Sequence, residues 1–286
     1  MDLVGAGAYP KEVSVRNEAD FIPNGTQWLQ DAVVEFDPEH NTVYTRNSRA
    51  NRYAFLVVAP GIQIDWDQVK GLKETIGRKG VCSNYAYEHV DSTWEVIRNF
   101  KGGNALFTAP ATAIKCGGAP QKIMYLAESC FRMSGVRNDT EGGGSVGTTV
   151  FGVQKYKPAL EQVVLRRGIE THFRHDLIEI LVESKEAIFE QMGTGEIIVM
   201  SYEMIHATPP MSPPDFVKNS PPSNEAGWVD VYQYSLQHRR YSNIFSLGDA
   251  GGTPNGKTGG IRKQAPVVVG NLMTVREGRD PVGRYN

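Results

Sequence analysis

Cys82, Cys116 and Cys130 are the three cysteines of the 286-residue chain. An odd, sparse count does not build a disulfide framework, so each thiol has to be judged by its neighbours. Cys116 lies in Ala113-Ile114-Lys115-Cys116-Gly117-Gly118-Ala119-Pro120, between an expected strand end and an expected helix start. The helix dipole and the Lys115 ammonium both favour a thiolate there, the reactive form of the group. Gly117 and Gly118 leave room for a substrate or cofactor to approach. The same position also suits a small buried thiol. Cys130 falls on the apolar face of the following helix and reads as core, whereas Cys82, in Gly80-Val81-Cys82-Ser83-Asn84-Tyr85, reads either way.

Other candidate groups are weaker. Phe245-Ser246-Leu247-Gly248-Asp249 reads as a strand that ends in a turn. Such an end can present the Asp249 carboxylate at the C-terminal edge of a sheet, where α/β folds bind ligands, and a helix N-terminus behind it favours a polar group. A plain Gly-Asp turn is the alternative. Gly142 to Gly147 matches a G-x-G-x-x-G pattern, but it lacks a buried strand before it and a helix after it, so it reads as a turn. Gly5 and Gly7 have too few residues before them to make such a loop. His172 and His175 on one expected strand would point to opposite faces, and no Cys cluster has zinc spacing, so no metal site is expected. His206 at a strand end could face a cofactor or sit satisfied in the core.

The elements that would hold these groups alternate. Tyr53 to Ala59 is a continuous apolar run closed by Pro60-Gly61, the pattern of a strand buried on both faces. Thr42 to Thr45 is a further strand after turn chemistry at 37–41. Helices are expected over Val90 to Asn99, Ala119 to Met133, Lys157 to Arg167 and Ile261 to Arg276. Strands are expected at 104–108, 148–153, 169–182, 202–207, 228–231 and 243–247, with a hairpin at 187–200 and a linker at 211–225. Strands alternating with helices imply an α/β fold with a parallel sheet. A formal net charge of −2 gives no basic footprint, so no nucleic-acid partner is expected. No apolar run reaches transmembrane length, and no signal peptide is visible.

Several longer runs carry a resemblance. Ile114-Lys115-Cys116-Gly117-Gly118-Ala119-Pro120-Gln121-Lys122-Ile123-Met124-Tyr125-Leu126 resembles the active-cysteine segment of sulfide:quinone oxidoreductases of the mitochondrial and related bacterial type. So do Gly80 to Tyr85, Ser201 to Met204 running on through Thr208 to Pro214, Leu236 to Tyr241, and Leu247-Gly248-Asp249 followed by Lys257-Thr258. The resemblance implies two Rossmann-like domains of the flavin disulfide reductase type, the first incomplete and the second inserted into it. It divides the chain into residues 1–100 as a partial FAD-binding segment, 101–211 as the inserted NAD(P)-binding-like domain, and 212–286 as the returning FAD-binding segment. FAD would lie against Pro60, Gly61, Gly248 and Asp249, with Lys257 and Thr258 near its ring. Cys116 would take up sulfide sulfur as a persulfide, and the electrons would pass through FAD to a membrane quinone. The implied protein is peripheral to a bacterial or mitochondrial inner membrane, with an unspecified sulfur acceptor and room for a homo-oligomer. The family's glycine-loop strand would precede Met1, and its second active cysteine and membrane-contacting tail would follow Asn286. A non-catalytic fragment of such an enzyme is an alternative. A type II NADH dehydrogenase is another, opposed by the weak glycine loop and by Lys115-Cys116-Gly117-Gly118.

Overall fold

In a computed structural model, the described residues are 1–47, 49–139, 145–147, 153–253 and 258–285. The strands in chain order are β1 Val33–Asp37, β2 Thr42–Thr45, β3 Ala50–Arg52, β4 Leu56–Val58, β5 Gln63–Ile64, β6 Val81–Cys82, β7 Ala105–Thr108, β8 Ser145–Gly147, β9 Thr171–Phe173, β10 His175–Leu181, β11 Glu186–Gln191, β12 Ile197–Ser201, β13 Met204–His206, β14 Met211–Ser212 and β15 Ile244–Ser246. The α-helices are α1 Asp2–Gly5, α2 Leu72–Thr75, α3 Val90–Asn99, α4 Ala119–Met133, α5 Lys157–Arg166, α6 Asp215–Lys218 and α7 Thr258–Arg276. Two compact units emerge, Met1–Phe21 with Ile64–Pro210, and Ile22–Gln63 with Met211–Asn286. In sequence, the first unit interrupts the second.

The first unit is built on a parallel sheet of order β6-β13-β7-β8-β9. Alternation along β7 and β13 explains its two layers. Ala105, Phe107 and Met204 face a core with Ile97 of α3 and Ile123, Met124, Ala127 and Phe131 of α4. Leu106 and Ile205 face the opposite core with Leu177, Ile180, Ala187 and Phe189 of the antiparallel β10-β11-β12 sheet. On α3 the buried positions are Val90, Thr93 and Ile97, one stripe at helical spacing. The helix α4 connects β7 to β8 on one side, while β13 pairs with β7 on the other. The chain order therefore reverses between β7 and β13, the kind of point where α/β sheets bind ligands beyond their C-terminal strand ends.

The second unit holds the β1-β2-β3 antiparallel meander and the parallel pair β4-β15, over a core that includes Phe36, Val43, Val58, Val229 and Ile244. The α7 helix adds a smaller cluster through Val268, packed with Leu236 and Phe245. Pro266 lies inside α7, contrary to a simple helix pattern.

Most elements fall where the sequence places them, and the differences have visible causes. The expected boundary after residue 100 differs from the compact units, which divide between 63 and 64 and again between 210 and 211. Residues 64–100 join the first unit because β6 pairs with β13 and α3 packs on the same core. The run 53–59 is a strand only at Leu56–Val58 and is not buried on both faces, since Val57 is 42% exposed and β15 is its one paired neighbour among the described residues. The expected strand 169–182 breaks at Arg174, whose φ of 66° turns the chain. As a result, the His172 and His175 rings meet edge to face at 6.2 Å instead of pointing apart. The 228–231 segment makes isolated bridges, not a strand, and 211–225 contains α6. Gly142 to Gly144 and the expected strand residues 148–152 lie outside the described residues, while Ser145–Gly147 forms β8 and not part of a turn.

Candidate active site

The C-terminal ends of β6, β13 and β7 lead directly into the residues singled out by their chemistry. Ser83, Asn84 and Tyr85 follow β6, His206 to Thr208 close β13, and the loop carrying Cys116 follows β7. The Thr208 backbone N–H donates to the Thr108 hydroxyl at 3.1 Å, tying the ends of β13 and β7 together. Cys116 is exposed, with φ of 56° in the left-handed region. A non-glycine residue there is uncommon and costs about 1 kcal/mol or more, so the surrounding turn has to hold it. That turn is closed by the Ala119 N–H, which donates to the Cys116 carbonyl at 2.7 Å as α4 begins.

The ammonium at the sulfur comes from Lys122, not Lys115. Lys122 Nζ lies 3.3 Å from Cys116 Sγ, whereas Lys115 Nζ reaches the Tyr85 carbonyl at 3.5 Å. Lys122 also pairs with Asp2 Oδ2 at 2.9 Å, and that carboxylate is 17% exposed. Burial works against the Lys122 charge, but the hydrogen bond and charge of Asp2, then those of Cys116, outweigh it and hold the ammonium above its ordinary pKa. The other oxygen of Asp2 accepts from Asn84 Nδ2 at 3.0 Å, and Asn84 Oδ1 accepts from His206 Nε2 at 2.9 Å. A continuous polar line therefore runs from the exposed sulfur to a fully buried imidazole.

Burial lowers the His206 pKa to about 4, although the Asp2 charge opposes the shift. His206 is thus neutral near pH 7, and its Nδ1 has no hydrogen-bond partner among the described residues. Between about pH 6.5 and 4 the unfolded chain binds a proton that the folded chain does not, so stability falls as pH falls through that window. The loss reaches about 3 kcal/mol by pH 4. Urea unfolding of His206→Gln against pH should show this part of the slope removed.

The remaining thiols behave differently. Cys82 is fully buried and its pKa is pushed up to about 12 by burial, which rules it out as a surface nucleophile. Cys130 packs against the α3–α4 core, and burial raises its pKa too. Among the described residues, no group of three or more His, Cys, Asp or Glu could hold a metal.

In the second unit, β4 and β15 are parallel and in register at Val58 and Ser246, so Pro60-Gly61 and Gly248-Asp249 emerge from the same sheet edge. Ser246 Oγ donates to the Val58 carbonyl at 2.7 Å and fixes the two ends. Gly61 has φ of 82° and open space where a Cβ would stand. Gly248 has φ of 75°, and its N–H donates to Gln264 Oε1 of α7 at 2.9 Å. Gly248–Ala250 forms a 3-10 turn that carries Asp249. Lys257 lies outside the described residues; Thr258 opens α7, and its side chain lies outside them as well.

No family model matches the chain. Mitochondrial sulfide:quinone oxidoreductase of Mus musculus is 41% identical over 288 residues, covering 99% of this chain and 64% of the mouse protein. Its namesake in Dictyostelium discoideum is 44% identical over 280 residues, covering 96% of this chain and 62% of that protein. The chain is similar in sequence to these sulfide:quinone oxidoreductases. It spans a little under two thirds of the length of these relatives. The sulfide:quinone oxidoreductase structure from Aquifex aeolicus superposes with a TM-score of 0.73 at 20% identity, over 88% of this chain and 61% of that one. A chain of the Tetrahymena thermophila mitochondrial ATP synthase assembly superposes with a TM-score of 0.83 at 22% identity, over 100% of this chain and 72% of that one. At these identities the likeness is one of fold, α/β with Rossmann-like domains.

The sequence singles out Cys116 and the two strand ends, but not Lys122 and Asp2, which the structure brings to the sulfur. Lys122 had a faint signal, since it lies on the first turn of an expected helix six residues beyond the cysteine. Asp2 had none, because only tertiary packing brings α1 beside α3 and α4.

Proposed function

We propose that this chain is the sulfur-handling portion of a sulfide:quinone oxidoreductase, with Cys116 as the residue that takes up sulfide sulfur. The observation that carries the reading is an exposed cysteine, in a left-handed turn beyond the parallel sheet, with an ammonium 3.3 Å from its sulfur. That ammonium stabilises negative charge on sulfur, and together with Lys115 it makes the approach favourable for hydrosulfide anion. Joining the Cys116 thiolate to hydrosulfide forms one S–S bond and releases one proton and two electrons. Pro60, Gly61, Gly248 and Asp249 fit a flavin edge, since two parallel strand ends converge there with a glycine that leaves open space. Lys257 and Thr258 are assigned to the same group by their match to the family motif. The flavin, which we take to be FAD, supplies a two-electron acceptor. Asp249 would hold it by accepting hydrogen bonds from its hydroxyls. Quinone is the terminal acceptor in this reading.

We place residues 22–63 and 211–286 in the flavin-binding part, and 64–210 together with 1–21 in a Rossmann-like part. The mouse and Dictyostelium proteins are mitochondrial by name, which supports a mitochondrial location, and a quinone acceptor would call for peripheral attachment to a membrane there. Among the described residues no helix is long and apolar enough to cross one.

The test uses the whole protein. It should purify yellow, and Asp249→Ala should weaken FAD retention by about tenfold or more, the loss of one or two charge-assisted hydrogen bonds. Equal FAD affinity in a folded Asp249→Ala protein would remove Asp249 from the site.

A further inference from the structure

Lys122 carries the positive charge at the sulfur on a flexible stem, and its side chain is 53% exposed. A contact to sulfur, a weak acceptor, is too weak by itself to keep such a side chain from hydrating, because fixing a lysine costs about 2 kcal/mol of rotamer freedom. Something else must hold it. The carboxylate of Asp2, at 2.9 Å and largely buried, is the only other partner shown for that ammonium among the described residues. Asp2 in turn cannot swing freely, since Asn84 holds its second oxygen and buried His206 holds Asn84. Asn84 is 2% exposed and His206 is 0% exposed. Every link thus ends in the core of the first unit.

We propose that Asp2, locked by Asn84 and His206, is a positioning residue that docks the Lys122 ammonium against Cys116 and so sets the reactivity of that sulfur. The inference rests on the reading of Cys116 as the reactive sulfur and adds the device that prepares it. Asp2 exerts two opposed effects. Its charge disfavours a nearby thiolate, while its grip brings a cation into contact with it. The gripped ammonium is in direct contact with the sulfur at 3.3 Å, and on that contact the grip prevails. Among the described residues, the charged and titratable groups shown about the sulfur are Lys122, Asp2 from α1, and Tyr85 from the loop after β6, while the neighbouring Lys115 reaches the Tyr85 carbonyl.

The experiment follows iodoacetamide alkylation of Cys116 at pH 7 in the full-length protein, read by peptide mass mapping so that Cys82 and Cys130 do not interfere. It needs no sulfide or quinone. Lys122→Met should slow alkylation by about tenfold, and Asp2→Asn by about fivefold, in the same direction. Asp2→Glu should recover part of the rate, and the rate–pH curve of Asp2→Asn should move towards that of Lys122→Met. A merely structural role for Asp2 would change the melting temperature without moving that curve. If Asp2→Asn does not fold, Asp2→Thr, which keeps an oxygen acceptor, gives the same reading. Unchanged or faster alkylation in a folded Asp2 variant overturns the proposal. Slower alkylation in a protein that never forms a persulfide leaves the positioning role standing and refutes the proposed function instead.

Discussion

Under the proposed function, replacing Cys116 with serine leaves the fold in place and lowers sulfide-dependent quinone reduction by about 10³-fold or more. The side chain is exposed, so its exchange creates no cavity, and the left-handed backbone at φ 56° costs a serine as much as a cysteine. What disappears is the only atom at that turn able to form a bond to sulfide sulfur. A hydroxyl beside Lys122 remains protonated near neutral pH and cannot yield a persulfide. Steady-state quinone reduction by the full-length variant, with its melting temperature taken alongside, measures both halves of the statement. Normal turnover would remove Cys116 from the chemistry, whatever the family likeness.

The second large effect concerns the scaffold. Gly80→Ala should destabilise the protein by about 4 kcal/mol, near the upper end for a single substitution. Gly80 has φ of 88°, and a Cβ built there would lie 2.2 Å from the Glu203 carbonyl oxygen. That neighbour is backbone and cannot step aside. It sits at the start of β13, whose Ile205 N–H donates to the Gly80 carbonyl at 2.9 Å. The added methyl therefore pushes β6 away from β13, and with it Ser83, Asn84 and Tyr85. Urea denaturation would show the loss as a lower midpoint. A substitution effect below about 1 kcal/mol would mean that the strand pair is looser than its geometry implies.

How far the sequence foretold this depends on the kind of signal. The extents of α3 and α4 were legible, α4 because Ile123, Met124 and Ala127 repeat with helical period and are buried, while Leu126 and Cys130, expected on the same face, are only partly buried. The strand ends at Gly61 and Gly248 were legible because glycine marks the left-handed turns that close them. The run 53–59 misled, since hydropathy registers a strand's apolar content but not which of its edges is paired. His172 and His175 misled for a related reason: alternation holds only along an unbroken strand, and Arg174 breaks this one. At the site, Lys115 was the natural guess as the neighbour of the cysteine, yet helix geometry brings Lys122 to the sulfur instead. The line Asp2–Asn84–His206 is made of contacts between residues 82 and 122 positions apart, which no local pattern encodes.

In the proposed function the sulfur of Cys116 accepts a second sulfur atom. Brief exposure of the full-length, FAD-loaded protein to sulfide, followed by trapping with an alkylating agent and mass mapping, tests this directly. The predicted result is a peptide spanning Cys116 that carries the mass of one additional sulfur, absent when sulfide is omitted and absent in Asp249→Ala protein stripped of flavin. An unmodified Cys116 peptide, or extra sulfur found on Cys130 alone, would contradict it.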